Sequence, residues 1–426
     1  MTAHTTKIFT EGETALFEAA KPHAGDTPNL AKLRELALAS LKQSGLPTRR
    51  IEYFHYTDMR SLLAGKYALA EKPSVEAAKD AAKGFVRLAK DATVLHFRDG
   101  YFFDWEEDLP AGVSAEIGIP DGFELAEGAA NAVEQVNTLF ANGGATLKVD
   151  AGAKVERAIG LAHAHTGEEN VIGAIRNRIE VGAEAECEII DRVVGKDGVN
   201  YFSSAIVDLE IGEGATVNYI LSNENGDAAT RLARFNATLG KSSVLNLFIL
   251  NVGGNVVRQE INFVMAGEQA ELNIAGVNLV GGKAHIDVTS RIDHLVPNTN
   301  ANELMRNVAT GHGRGVFQGQ INVAQPAQLT DAQMACNTLL LSDDCDFSAK
   351  PELEIFADDV QCAHGATVTD LEESYLFYLM ARGITEERAR RMLIKAFVAE
   401  AFQEMIDEPL EEALEARMDV WLDKHV

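Results

Sequence analysis

Cysteine is scarce in this 426-residue sequence. The four residues are too few and too scattered for a disulfide framework, so the chain reads as cytosolic. Cationic residues are also short, with 38 Lys and Arg against 64 Asp and Glu and a formal net charge of -26. That deficit argues against non-specific nucleic-acid binding, which needs cations to displace counterions from phosphate. It argues equally against docking on an anionic membrane surface. No stretch approaches the ~20 apolar residues of a membrane span. The opening residues, Met1 to Lys7, lack the apolar core of a signal peptide, so no export is expected. What remains is 46% hydrophobic and 24% charged, the balance of a soluble globular chain with room for two or three domains.

The first ninety residues read as helical. Leu30, Leu33, Leu36, Leu38 and Leu41 recur at roughly helical spacing, and Gly45-Leu46-Pro47 stops the run. The Lys/Glu/Ala-rich stretch 70–90 reads as a connection or a further solvated helix. From about Thr93 short Val/Ile/Phe runs alternate with Gly, Asn and Asp, a strand-and-turn signal.

Within that region glycines fall at 152, 182, 212, 240 and 267, separated by 30, 30, 28 and 27 residues. Three residues beyond the last four stand Ala185, Ala215, Ser243 and Ala270. Five beyond stand Cys187, Val217, Leu245 and Leu272, and seven beyond stand Ile189, Tyr219, Leu247 and Ile274. The sixth position is polar in every copy: Glu188, Asn218, Asn246 and Asn273. This is one strand, alternating in and out, repeated once per coil. Such a repeat cannot bury its apolar face alone, so copies must stack as parallel strands. The Gly152 copy fits poorly, with Arg157 where an apolar residue is expected, and the register blurs after about Ser290. The C-terminal part returns to helix: Asp370 to Arg382 with Leu371, Tyr375, Tyr378 and Leu379 on one face, a second helix from Thr385 to Phe402, and an acidic helix after Pro409. The expected architecture is mainly β, with strands over 91–369 between helical caps at 1–90 and 370–426.

Several motifs are weighed and set aside. Gly240-Lys241-Ser242 lacks the upstream glycine of a phosphate loop, and Gly311 to Gly315 misses dinucleotide spacing, so both read as turns and no bound nucleotide is expected. His163-Ala164-His165 offers two imidazoles on one strand face but no third ligand. Cys187, Cys336 and Cys345 read as structural. Asp343-Asp344 and Asp358-Asp359 would suit a polysaccharide-degrading enzyme on stacked strands. Two tryptophans and the acidic charge speak against that reading. Cys362-Ala363-His364 puts a thiol and an imidazole on the same side of an extended segment, and both suit iron or zinc. Two ligands do not close a site, so the pair is either half of a metal site completed by another chain or a packed structural pair.

The run Pro351 to Ile355, then Asp358-Asp359-Val360-Gln361-Cys362-Ala363-His364-Gly365-Ala366-Thr367-Val368, closely resembles the signature of the SufB/SufD family of iron–sulfur cluster assembly proteins. So do Leu376 to Ile384, Phe317 to Ile321 and Leu339 to Ser342. Pro47 to Thr57 resembles an entry motif of the SufD branch, with Phe54 where Trp is usual. Gly365, where SufB-like chains carry Glu, and the absence of an N-terminal cysteine cluster favour the SufD branch over a SufB-like scaffold.

The resemblance implies a right-handed parallel β-helix between helical ends and a non-catalytic, cytoplasmic subunit of a SufBCD complex. It implies pairing with a SufB-like homologue through the β-helix, and docking of a SufC-like ABC ATPase on the C-terminal helices. A homodimer is expected when the homologue is absent. His364, with Cys362 less firmly, is implied as a ligand to a nascent iron–sulfur cluster shared with that homologue. Tyr378, Arg382, Gly383, Arg388 and Arg391 lie in the region implied for the ATPase. Arg388, Arg390, Arg391 and Lys395 form a positive stretch there, alternatively salt-bridged to the acidic tail.

Overall fold

The computed structural model describes residues 9–20, 23, 26–65, 67–83, 88, 92–106, 108–126, 128–402 and 408–426. Helices α1 (Glu11–Ala19), α2 (Pro28–Ser44), α3 (Met59–Leu62) and α4 (Val75–Lys83) precede the main strands, with a short β1 (Ala68–Leu69) between the last two. Then come β2 (Thr93–Arg98), β3 (Tyr101–Glu106) and β4 (Val113–Ile117), helix α5 (Ala132–Phe140), β5 (Gly143–Val149), β6 (Ile159–Ala164) and β7 (Val171–Val181). The regular part continues with β8 (Glu186–Val194), β9 (Phe202–Ile211), β10 (Thr216–Glu224), β11 (Thr230–Leu239), β12 (Val244–Asn251), β13 (Val256–Met265) and β14 (Glu271–Val280). It ends with β15 (His285–His294), β16 (Asn300–Ala309), β17 (Arg314–Val323), β18 (Asp331–Leu340), β19 (Asp346–Ile355) and β20 (Gln361–Asp370). Helices α6 (Glu373–Ala381), α7 (Glu386–Ala399) and α8 (Glu408–His425) follow.

Each coil carries two strands, one more than the repeat predicts. Odd-numbered strands from β5 to β19 stack into one parallel sheet and even-numbered strands from β6 to β20 into the other. The glycine repeat marks the even sheet alone: Val217 pairs with Cys187 and Leu245, and Leu245 with Leu272. Their side chains point inward with Ile189, Tyr219, Leu247 and Ile274, and are buried in the core between the sheets. The polar sixth position faces out, where Asn273 Nδ2 donates to Asn246 Oδ1 (3.0 Å) and Asn246 Nδ2 to Asn218 Oδ1 (2.9 Å). A second amide ladder runs inside, through Asn223, Asn251, Asn278 and Asn307, at 2.8–3.1 Å per step. Each amide satisfies its neighbour, so these buried polar groups carry little desolvation cost.

The periodic glycines from Gly182 onward are required by close approach of coils, whereas Gly152 faces open space. A β-carbon on Gly182 would lie 2.5 Å from Ala151 N, and one on Gly267 2.0 Å from Lys241 N. One position in these turns is left-handed from coil to coil: Glu184 (φ 57°), Gly214 (68°), Ser242 (54°), Gln269 (63°), Asn298 (57°) and Leu329 (59°). The N–H at that position donates to a carbonyl of the next coil, at 2.6–3.1 Å. The copy beginning at Gly152 is irregular because two extra residues separate the Lys154 bridge to Glu186 from Ile159, which regains the register opposite Ile189. Coiling persists beyond Ser290 in register, since Leu272, Ala301, Ala332 and Cys362 form one column. It was obscured because Glu303 and His364 occupy positions that earlier coils fill with apolar residues.

The helices cover the sides of the solenoid, which corrects the expectation of end caps. Ile394 and Val398 of α7, Phe402, and Leu410, Leu414, Met418 and Trp421 of α8 pack on Ile190, Ile220, Phe248 and Val277 of the even sheet. The N-terminal helices and α5 cover Ile172, Ala174, Phe202 and Leu232 of the odd sheet. Helix α5 lies within the segment assigned to strands, and Arg34 of α2 caps it, donating to the carbonyls of Thr138, Leu139 and Ala141 at 2.7–2.8 Å. Leu36 faces solvent, whereas Leu30, Leu33 and Leu41 are buried as their spacing predicts. The stretch 70–90 contains α4; residues 84–87, 89 and 90 lie outside the described residues. Residues 47–58 strap across the odd sheet. Fully buried Arg258 donates to Tyr53 O (2.8 Å), stacks on Phe54 and pairs with Glu260 and Asp287, while Thr57 donates to Asp287.

The two ends of the solenoid differ. At the start, β2 pairs antiparallel with β3 and β4 antiparallel with β5, so each sheet begins with a short reversed strand that has no further partner among the described residues. At the finish, β19 and β20 are the last strands of their sheets and have no further partner among the described residues.

Candidate functional site

His364 and Cys362 lie on β20, where the alternation of the even strands decides their direction. His364 continues the inward column of Ile274, Glu303 and Met334, and Cys362 continues that of Leu272, Ala301 and Ala332. They therefore share a face, as their spacing predicts. Among the described residues no coil lies beyond them, so the inward face becomes an end surface. His364 is exposed, and among the described residues its ring has no hydrogen-bond or ion-pair partner. Cys362 is half-buried against the core, and burial raises its thiol above the ordinary value. A thiol must lose its proton to bind metal, so the imidazole is the readier donor of the two. Gly365 is not a steric necessity, because a β-carbon there meets nothing within 4 Å.

The rejected motifs have structural roles. Lys241 and Ser242 form a turn, and Lys241 pairs with Glu213 at 3.2 Å. His163 contacts Asp191 (3.0 Å) and stacks on Phe97, while His165 faces Asp99 (3.4 Å) and stacks on Tyr201. Burial pushes the Cys187 and Cys336 thiols up to about 12, and the Cys345 thiol donates to Ala309 O. Asp343-Asp344 stand in the turn after β18 and Asp358-Asp359 in the turn after β19, at opposite edges of the coil. Four carboxylates so separated do not make an acid/base pair, which removes the basis of the polysaccharide-degrading reading.

A second feature adjoins β20. Helix α6 buries none of its residues. Tyr375, Phe377, Tyr378 and Met380 are exposed, Phe377 by 74%. The sequence pattern places Leu371, Tyr375, Tyr378 and Leu379 on one face and leaves Phe377 and Met380 out of it. The signal was present, since a helix apolar all round must meet something besides its own domain. Beside it, Leu341, Asp343, Leu371, Leu376, Phe377, Met380 and Arg390 line a cleft of about 510 Å³. Gly383 (φ 85°) ends α6, and the Arg382 guanidinium lies 4.9 Å from the Tyr378 ring. The positive stretch is largely neutralised: Arg390 pairs with Glu386, Arg391 with Asp419 and Asp423, and Lys395 with Asp419. Arg388 is exposed and unpaired among the described residues.

Comparison with known proteins agrees with these features. The family model "SUF system FeS cluster assembly, SufBD core domain" matches residues 163–397, and "SufBD protein N-terminal region" matches 7–115. The chain is 28% identical over 389 residues to the iron-sulfur cluster assembly protein SufD of Escherichia coli, covering 89% of this chain and 90% of that one. It is 27% identical over 425 residues to an iron-sulfur cluster assembly SufBD family protein of Synechocystis, covering 94% and 93%. It is 24% identical over 286 residues to the iron-sulfur cluster assembly protein SufB of Bacillus subtilis, covering 67% and 61%.

Proposed function

The chain belongs to the SufBD family of the SUF iron–sulfur cluster assembly system, and from that premise we propose that it acts as a SufD-like, non-catalytic subunit of a SufBCD complex. It pairs through the open end of the solenoid with a SufB-like homologue, and α6 with the adjoining cleft receives a SufC-like ABC ATPase. The cluster is cargo, held transiently between two chains. The observation that carries this reading is His364, exposed and unpartnered on the last even strand, beside sheet edges that lack a partner. Neutral imidazole donates a lone pair to iron. One imidazole from this chain cannot hold a cluster, so the remaining ligands come from the homologue. Cys362 assists only if iron displaces its proton. Four free thiols suit a reducing compartment such as the cytoplasm. No described helix is long and apolar enough to cross a membrane.

The test is His364→Ala in the reconstituted complex. Iron and sulfide retention should fall severalfold while complex assembly and ATP hydrolysis persist. A full cluster acquired at the normal rate would make His364 a structural residue.

A further inference from the structure

The short turns that follow the odd strands change character along the solenoid. Their first residue, whose N–H bonds back to the preceding coil, is Gly182, Gly212, Gly240 and Ala266, then Leu295, Ala324 and Phe356. The left-handed position runs through Glu184, Gly214, Ser242, Gln269 and Asn298 before becoming Leu329. Each of the last three turns thus carries one large apolar residue, at the first position in Leu295 and Phe356 and at the left-handed position in Leu329, while Asn298 and Ala324 stay polar or small. Leu295 is 46% exposed, Leu329 54% and Phe356 67%. With coils about 4.8 Å apart, the three side chains fall within roughly 10 Å along the stack.

Leu329 is the telling member. A left-handed leucine sets its β-carbon against its own carbonyl, which glycine avoids and asparagine tolerates. Its side chain gains no packing in return, because it stands in solvent. Neither backbone geometry nor the core of this chain asks for leucine there, and strain retained at an exposed position points to a function.

We infer that Leu295, Leu329 and Phe356 form a docking ridge for the homologous solenoid chain that pairs with this one, fixing the register of that pairing; this rests on the pairing proposed above. Phe356 directly follows the edge strand β19, and Leu329 and Leu295 stand one and two coils before it on the same side of the stack. The neighbouring coils carry Glu, Lys, Ser and Gln at their turns. Strand pairing alone would fix the register poorly, since β20 is exposed along most of its length and holds Ala363, Gly365 and Ala366 in a short span. Three apolar knobs at a fixed corner choose one register, because a slip of one residue withdraws them from the partner's surface.

The ridge is tested with Leu329→Asn and the double variant Leu329→Asn/Phe356→Ser, titrated with the purified SufB-like chain of the same cell. Leu329→Asn should raise the chain's own melting temperature by relieving the left-handed strain. The double variant should bind the SufB-like chain about tenfold more weakly or worse, with unchanged circular dichroism. Wild-type affinity in the double variant overturns the ridge and leaves the pairing intact. A wild-type chain that ignores the SufB-like chain but self-associates through these residues overturns the choice of occupant. A wild-type chain that binds neither overturns the pairing itself.

Discussion

Glu303 is a fully buried carboxylic acid with no ion-pair partner among the described residues. It points into the solenoid interior, accepts one hydrogen bond from Ser290 Oγ (3.1 Å), and leaves Oε1 without a donor. Burial raises its pKa from 4.5 to about 8, so the folded chain keeps this proton at neutral pH. Unfolded, the same group ionises near 4.5, so between the two values unfolding releases a proton and stability falls as pH rises. The loss is on the order of 3 kcal/mol by pH 7. Glu303→Gln keeps an acceptor for Ser290 and removes the titration, so urea melts at pH 5 to 8 should show the variant gaining on wild type as pH rises. A constant difference would mean that Glu303 is ionised in the fold. The same residue explains one limit of sequence reading. A glutamate stands where three coils have Ile189, Leu247 and Ile274, so the alternation looks broken although the strand continues unshifted.

Among elements, the even strands were legible and the odd ones were not. Glycine at the turns before β8, β10, β12 and β14, forced by coil contact, supplies a fixed origin for counting. The turns before the odd strands shorten from seven residues before β9 to four before β13 and β15, and these strands bury charge on their outer face, where Arg258, Glu260 and Asp287 pair under the strap. Their sequence therefore reads as polar. The C-terminal helices were legible as helices, but which face meets what depends on the sheet surface beneath them. That surface changes how ATPase docking should be tested. Deleting residues 370–426 would uncover Phe248, Ile220 and Val277, at a cost of about 1.5–3 kcal/mol for each large apolar side chain that loses its cover. Such a chain is expected to aggregate, which separates nothing. Phe377→Ala/Tyr378→Ala removes apolar area that is already exposed, so the melting temperature should hold. Capture of the SufC-like ATPase in a pull-down should drop about tenfold or more. Undiminished capture would move the contact away from α6. Arg391 and Lys395, tied to α8, should matter little to that capture.

For the whole molecule, the contrast between its ends sets a valence. The winding begins on the short reversed strands β3 and β4 and ends on the ten-residue parallel strands β19 and β20, all four being edge strands among the described residues. A coil stack with two unfinished ends could add copies head to tail without limit and would grow into a filament. Short reversed edge strands discourage pairing, whereas β19 and β20 offer ten-residue parallel edges, so stacking is favoured at one end and pairing there uses up the favoured edge. Raising the isolated chain from micromolar to millimolar concentration should therefore carry its mass to two chains and hold it there. A ladder of larger species in sedimentation or light scattering would show that the reversed strands fail as terminators. The short reversed strands at the start thus bear on how many copies can meet at the other end, and work against the growth of stackable coils into a fibre.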